Sequence, residues 1–292
     1  MYMLGTFCAI GAGILFGFCG PLTKTAYNLG VGVGLAIILR YLIASILIFP
    51  VFIKNKPSLE IYRSEIWTFM LFTAGSILLT TGLLLSVQYI DVSLAILIFC
   101  TYPIIVLLTS ILIDKEKVKL SIKIVFCVIF FGLFLVLSPS FDNLNILGII
   151  FAFVGSIGAS TIILTNQKLS NKNINPIHIG AFINIFNLIF FIIFINLFFE
   201  INYKINNEAW IIILIASLCY TIAFFLQLSA IPRIGQSKTA LLLYGEPVVT
   251  ILVATIFLKE TLNLYQSVGA VIVICSLIFA TYQTNKIKNE FS

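Results

Sequence analysis

The sequence predicts an all-α polytopic membrane protein: ten transmembrane helices in two inverted five-helix repeats. Three observations predict it. Apolar residues make up 61% of the 292 positions and charged residues 10%, with a mean hydropathy of +1.15. A soluble domain carries about 25% charged residues, so these few cannot furnish a water-facing surface. Apolar runs near the ~20 residues that a helix needs to cross a bilayer recur along the whole length. The short alternating segments of a β-barrel are not found. Finally, the chain repeats itself. Ser93-Leu-Ala-Ile-Leu-Ile-Phe-Cys-Thr-Tyr-Pro103 leads on to Lys115-Glu116. A shift of 144 residues turns this into Ser237-Lys-Thr-Ala-Leu-Leu-Leu-Tyr-Gly-Glu-Pro247, leading on to Lys259-Glu260.

The elements follow in order. The first span, 4–25, comes after Met-Tyr-Met-Leu-Gly-Thr, which lacks the basic start of a cleaved signal peptide, so it is read as retained. The second, 32–53, carries Arg40. The third and fourth, 66–87 and 92–113, are followed by a lysine-rich loop and by the fifth, 121–138. Ser138-Pro139-Ser140-Phe141-Asp142-Asn143 then separates a first repeat, 1–140, from a second, 141–292. The second repeat holds spans 145–166, 177–199, 209–230, 237–258 and 264–284. Five spans is an odd number, so the second repeat runs upside down relative to the first, as in transporter architectures built around a midplane site.

Orientation follows from the distribution of lysine and arginine. Alternate loops and the C-terminal tail hold 13 of the 17 basic residues, the opposite side holds Lys24, Lys204 and Lys259, and Arg40 lies within a span. Both termini are therefore expected in the cytoplasm. Nucleic-acid binding needs a basic soluble surface, which this chain lacks. All six cysteines fall in spans without a CxxC pair, and the single histidine, His178, opens the seventh span. That pattern offers no converging metal ligands, so no metal and no cofactor are expected. Nor is there a Ser/His/Asp set, a pair of intramembrane carboxylates or a phosphate-binding loop, and the chain is read as a non-enzyme.

What remains is a small set of polar residues in an apolar setting. A charge at a helix centre costs about 2.5–3.5 kcal/mol on insertion scales, so Arg40 and Glu246 each need a partner or a water-filled cavity. Arginine stays charged, and Arg40 is read as mainly structural, pairing within the bundle or reaching the outer headgroups. Glu246 is read as a solute- or proton-binding group, the alternative being an ion pair that holds the bundle together. It lies in Gly245-Glu246-Pro247, where proline removes an amide donor and clashes with the Leu243 carbonyl. Pro103 does the same to Phe99. Helices broken at matching positions of two repeats point to a transport site. Thr101 and Tyr102 match Gly245 and Glu246, which makes such a site chemically lopsided. Tyr244, Tyr220 and Gln227 complete the candidate substrate-binding set. The last two are seven residues apart and share a helix face.

These residues carry a resemblance. Glu246-Pro247 with Glu260 beyond it, the matching Pro103 and Glu116, Arg40-Tyr-Leu-Ile-Ala44, and Gly235-Gln-Ser237 opening the ninth span resemble the drug/metabolite transporter superfamily in its ten-helix EamA-type branch. Two features depart from that pattern: Thr-Tyr-Pro stands where Glu-Pro is frequent, and the first span has no tryptophan. The resemblance implies a central cavity lined by the first, third, fourth, sixth, eighth and ninth spans, with the fifth and tenth peripheral. The expected function is secondary active transport of small organic metabolites, amino-acid- or nucleotide-like, across the inner or plasma membrane, by alternating access. Protons are the candidate coupling ion, and the protein is a monomer or homodimer in the lipid bilayer. The other readings are a proton-linked drug exporter, and a non-transporting membrane scaffold or lipid-handling protein.

Overall fold

Ten apolar helices, and no strands among the described residues, build the protein as a polytopic membrane protein. The computed structural model describes residues 2–54, 63–115, 118–139, 141, 144–198, 205–257 and 263–289. Eight spans are single helices: α1 (Tyr2–Asn28), α2 (Val33–Lys54), α3 (Ile66–Ser86), α6 (Leu120–Leu137), α7 (Ile146–Asn171), α8 (Pro176–Phe198), α9 (Asn207–Ile234) and α12 (Leu264–Asn289). The fourth span is interrupted, as α4 (Val92–Phe99) and α5 (Tyr102–Leu112). The ninth is interrupted likewise, as α10 (Gln236–Leu243) and α11 (Gly245–Phe257). Glu116, Lys259 and Glu260 lie outside the described residues.

Local chemistry sets the helix ends. Asn145 and Asn206 cap α7 and α9, their side-chain oxygens accepting from the amides of Leu147 (2.9 Å) and Ala209 (2.7 Å), which satisfies donors that a helix start leaves open. A single residue, Gly235, joins α9 to α10 at φ +84°, a conformation that glycine adopts without steric cost.

The two halves pack as mirror uses of one plan. The first span lies against the eighth and the ninth, and the sixth lies against the third and the fourth. The second pairs with the seventh, and the fifth with the tenth. Without water to drive helices together, close backbone approach supplies the attraction. A Cβ added to Gly158 of α7 would stand 2.4 Å from the Leu79 amide and 2.5 Å from the Gly75 carbonyl of α3. One added to Gly269 of α12 would stand 2.6 Å from the Gly132 carbonyl of α6.

Polarity is distributed inside-out. Large apolar side chains such as Trp67, Ile193 and Ile256 stand exposed, where lipid covers them, while Ser76, Thr80, Ser156, Ser160, Asn166 and Asn187 are buried. Asn187 donates to Ser76 at 2.7 Å, and the Tyr41 hydroxyl lies 2.9 Å from that of Thr80, so hydrogen bonds join the second, third and seventh spans. At the end that bears the basic loops, Lys172 donates to Glu65. That bond holds the Glu65 carboxyl below its usual range.

Candidate functional site

The two interruptions fall where proline chemistry puts them. Pro103 and Pro247 lack the amide that would have bonded to Phe99 and Leu243, and α4 and α10 end at those residues. Cys100 and Tyr244 follow with ψ near zero, at 5° and −11°. The helix then resumes at Tyr102 and at Gly245.

Matching breaks are held in different ways. At the fourth span, Thr101 donates to the Ile98 carbonyl at 2.8 Å and lies 2.8 Å from the Ser156 hydroxyl of α7. Since the threonine proton is used, the serine supplies the proton of that second bond. Ser160, one turn on, donates to the Tyr102 carbonyl at 3.1 Å. At the ninth span, the places of these two serines are taken by Gly13 and Gly17 of α1. A Cβ on Gly13 would lie 3.7 Å from the Glu246 amide, and one on Gly17 3.0 Å from the Glu246 carbonyl. Hydroxyls brace one break, and bare backbone contact braces the other.

Around the second break stands the charged group of the interior. The Glu246 carboxylate has neither a hydrogen bond nor an ion pair with the described residues, although its carbonyl accepts from Thr250 at 3.0 Å. It is within electrostatic reach of Arg40 on α2, Cys19 on α1, Tyr220 on α9, and Cys100 and Tyr102 of the fourth span. The Arg40 guanidinium carbon lies 4.1 Å from the centre of the Tyr220 ring. That ring is met edge-on by Phe16 at 5.5 Å and stacked on Phe224 at 6.2 Å. Among the described residues no carboxylate comes within 4 Å of Arg40. Arg40, Tyr220 and Glu246 are each only part-buried, so all three keep some accessible surface.

The remaining candidates divide. Tyr102 is buried beside Phe99, its ring 5.1 Å away, and belongs to the charged neighbourhood. Tyr244 does not. Its ring packs edge-on against Phe126 of α6 at 6.0 Å, inside the apolar cluster shared with the fifth and tenth spans, and its hydroxyl is buried without a hydrogen bond. Gln227 is buried two turns along α9 from Tyr220, towards Arg233. Phe16 and Cys19 border the site without having stood out in the sequence. Their types are those of ordinary packing residues, and only the approach of α1 to α9 and α11 brings them in.

Polar side chains tie the spans together at the end with the basic loops. Gln236, at the start of α10, donates to Ser110 at 2.8 Å and to Asp114 at 2.6 Å, joining the ninth span to the fourth. Asn166 donates to the Leu228 carbonyl at 3.1 Å, joining the sixth to the eighth. Lys238 donates to the Tyr2 hydroxyl at 2.5 Å, joining the ninth to the first.

Comparison with known proteins agrees with this geometry. The model of the EamA-like transporter family matches residues 3–138 and again 146–282. One solved crystal structure, described only as that of a protein, superimposes with a TM-score of 0.84 over 98% of this chain and 99% of its own, at 12% identity. At that identity the likeness concerns the fold. No curated protein matches the chain significantly.

Proposed function

Given that the chain belongs to the EamA-like transporter family, we propose that it is a secondary active transporter of small organic metabolites, amino-acid- or nucleotide-like. It works by alternating access in an inner or plasma membrane, with both termini in the cytoplasm. The observation that carries this reading is the meeting of two interrupted helices at equivalent points of the repeats, one bearing a carboxylate without a partner. Interrupted helices at such points form the midplane sites of transporters. An intramembrane carboxylate is a functional group before it is a structural one.

Glu246 supplies the coupling. A proton and a cationic substrate group exclude one another at a single carboxylate, so release of one allows capture of the other. The titratable groups within electrostatic reach of it are Arg40, Cys19, Cys100, Tyr102 and Tyr220. Of these, arginine remains charged throughout, which leaves Glu246 to change state.

The test is uptake of radiolabelled metabolites into vesicles carrying the purified protein, with and without an imposed pH gradient. Glu246→Gln keeps the shape and removes the charge. It is expected to abolish gradient-driven accumulation while leaving exchange of internal for external substrate. Pro247→Ala restores an amide at the break and is expected to slow both modes. Unchanged gradient-driven uptake in a folded Glu246→Gln protein overturns the coupling role. No saturable uptake of any metabolite by the parent protein overturns the transporter reading.

A further inference from the structure

Arg40 and Glu246 present a puzzle of opposite charges that do not meet. The lowest-energy arrangement for a cation and a carboxylate in hydrocarbon is a hydrogen-bonded pair, because each removes the other's desolvation penalty. They are close enough to influence each other, yet no ion pair forms within 4 Å. The fold keeps them apart. Arg40 belongs to α2 and lies over Tyr220, while Glu246 sits at the head of α11, against the glycine face of α1.

Neither charge is settled where it stands. Arginine offers five N–H donors and no acceptor, and the partner of Arg40 is the face of Tyr220. A cation–π contact offsets only part of the cost of a charge at a helix centre. Its donors therefore still want an acceptor, and Glu246 wants a donor. Both side chains keep accessible surface.

From this arrangement we infer that Arg40 and Glu246 are the two poles of a binding site for a zwitterion, with Arg40 receiving the carboxylate of the substrate and Glu246 its ammonium group. The planar guanidinium matches a carboxylate with two parallel hydrogen bonds. Phe16 and Phe224, which flank Tyr220, give the body of the substrate an apolar wall. A molecule with one charge satisfies one pole and leaves the other bare in a medium where that is expensive. A net-neutral molecule with two separated charges satisfies both. The poles also come from different repeats, Arg40 from the first and Glu246 from the second, so one bound zwitterion spans the boundary between the halves that must move. This inference rests on the transporter reading and narrows it, since it replaces a merely structural role for Arg40.

Thermal stabilisation of the purified protein by the twenty proteinogenic amino acids, each beside its amide and its N-acetyl derivative, tests the inference without requiring transport. The amide removes the negative pole and the N-acetyl form the positive one. At least one free amino acid is expected to raise the melting temperature, with both of its blocked forms at least about tenfold weaker, the loss expected for a charge-assisted hydrogen bond. In Arg40→Gln the preference for acid over amide is expected to vanish, and in Glu246→Gln the preference for free over acetylated amine. Should Arg40→Gln fail to fold, the acid-to-amide ratio of the parent protein still decides. An amide that binds as tightly as its acid, or twenty amino acids without effect, overturns the two-pole site. Saturable vesicle uptake of a singly charged compound in that same case would leave the transporter reading standing.

Discussion

Gly17 of α1 offers the sharpest test of how closely the first span must approach the break in the ninth. A Cβ there would stand 2.6 Å from the Val249 Cβ and 2.7 Å from its Cγ1. Non-bonded carbons rest at about 3.5–4.0 Å, so Gly17→Ala demands roughly 1 Å of separation between α1 and α11. The strain falls on backbone and on a β-branched side chain, which cannot rotate its Cβ away. Overpacking of this kind costs about 1–3 kcal/mol. At about 2–4 °C per kcal/mol for chains of a few hundred residues, the melting temperature falls by about 2–12 °C. Gly20, three residues along the same helix, is the control, because its added Cβ would meet Thr250 Cγ2 at 3.5 Å, an ordinary contact. Gly20→Ala therefore keeps the helix-propensity gain of about 0.5–1 kcal/mol and is expected to raise the melting temperature slightly. Thermal unfolding of the two variants in one detergent measures the difference. Val249→Gly, combined with Gly17→Ala, removes the two closest contacts and leaves the one with the Glu246 carbonyl at 3.0 Å, and the pair is expected to be more stable than the sum of the single effects. Equal stability of Gly17→Ala and Gly20→Ala would refute the claim that α1 is seated on α11 at van der Waals distance.

Other expectations are as specific. Tyr244→Phe removes a buried hydroxyl that makes no hydrogen bond, so it is expected to leave transport intact and to be neutral or stabilising by up to about 1 kcal/mol; a loss of substrate affinity with unchanged stability would return Tyr244 to the binding site. Lys119 and Asn145 lie at opposite ends of the fifth span, and single cysteines at these positions are expected to react from opposite faces, Lys119 from the cytoplasmic one. Lys172 is mostly exposed, and exposed ion pairs contribute little. Lys172→Ala is therefore expected to leave the neutral-pH melting temperature within a degree or so of the parent. The depressed carboxyl of Glu65 places what contribution there is above the usual carboxylate range, to be lost as pH falls through it; a larger loss at pH 4 than at pH 7 on mutating Lys172 would reverse that sign.

Membrane spans and helix breaks were legible in the sequence because both are local. A run of apolar residues must cover its own backbone in lipid, and a proline frees the carbonyl four residues before it wherever it stands. That is why α4 and α10 end at Phe99 and Leu243. What a side chain faces is not local. Tyr244 and Glu246 are two residues apart, yet one packs against Phe126 among the peripheral helices and the other belongs to the charged neighbourhood. Hydropathy does not tell which one turns inward, because α10, which leads into them, is buried on nearly every side. The Arg40–Tyr220 contact was likewise illegible. Nothing in either segment states that the second span passes the eighth at that depth.

The lock at Gln236 has a consequence for heat. In a carrier built of inverted halves, each end of the molecule has a counterpart at the other. The counterparts of Gln236, Ser110 and Asp114, one repeat away, are Val92, Ala254 and Leu258. One end is thus fastened by hydrogen bonds that are short and directional, while the matching positions of the other repeat carry apolar residue types. Apolar closure against water is largely entropic near 25 °C and weakens on cooling, whereas an enthalpic hydrogen bond does not. Under the alternating access proposed above, the resting balance between the two faces of the cycle is expected to depend on temperature. On that proposal, cold is expected to favour the state sealed at Gln236, and warming to move the population towards the state open there.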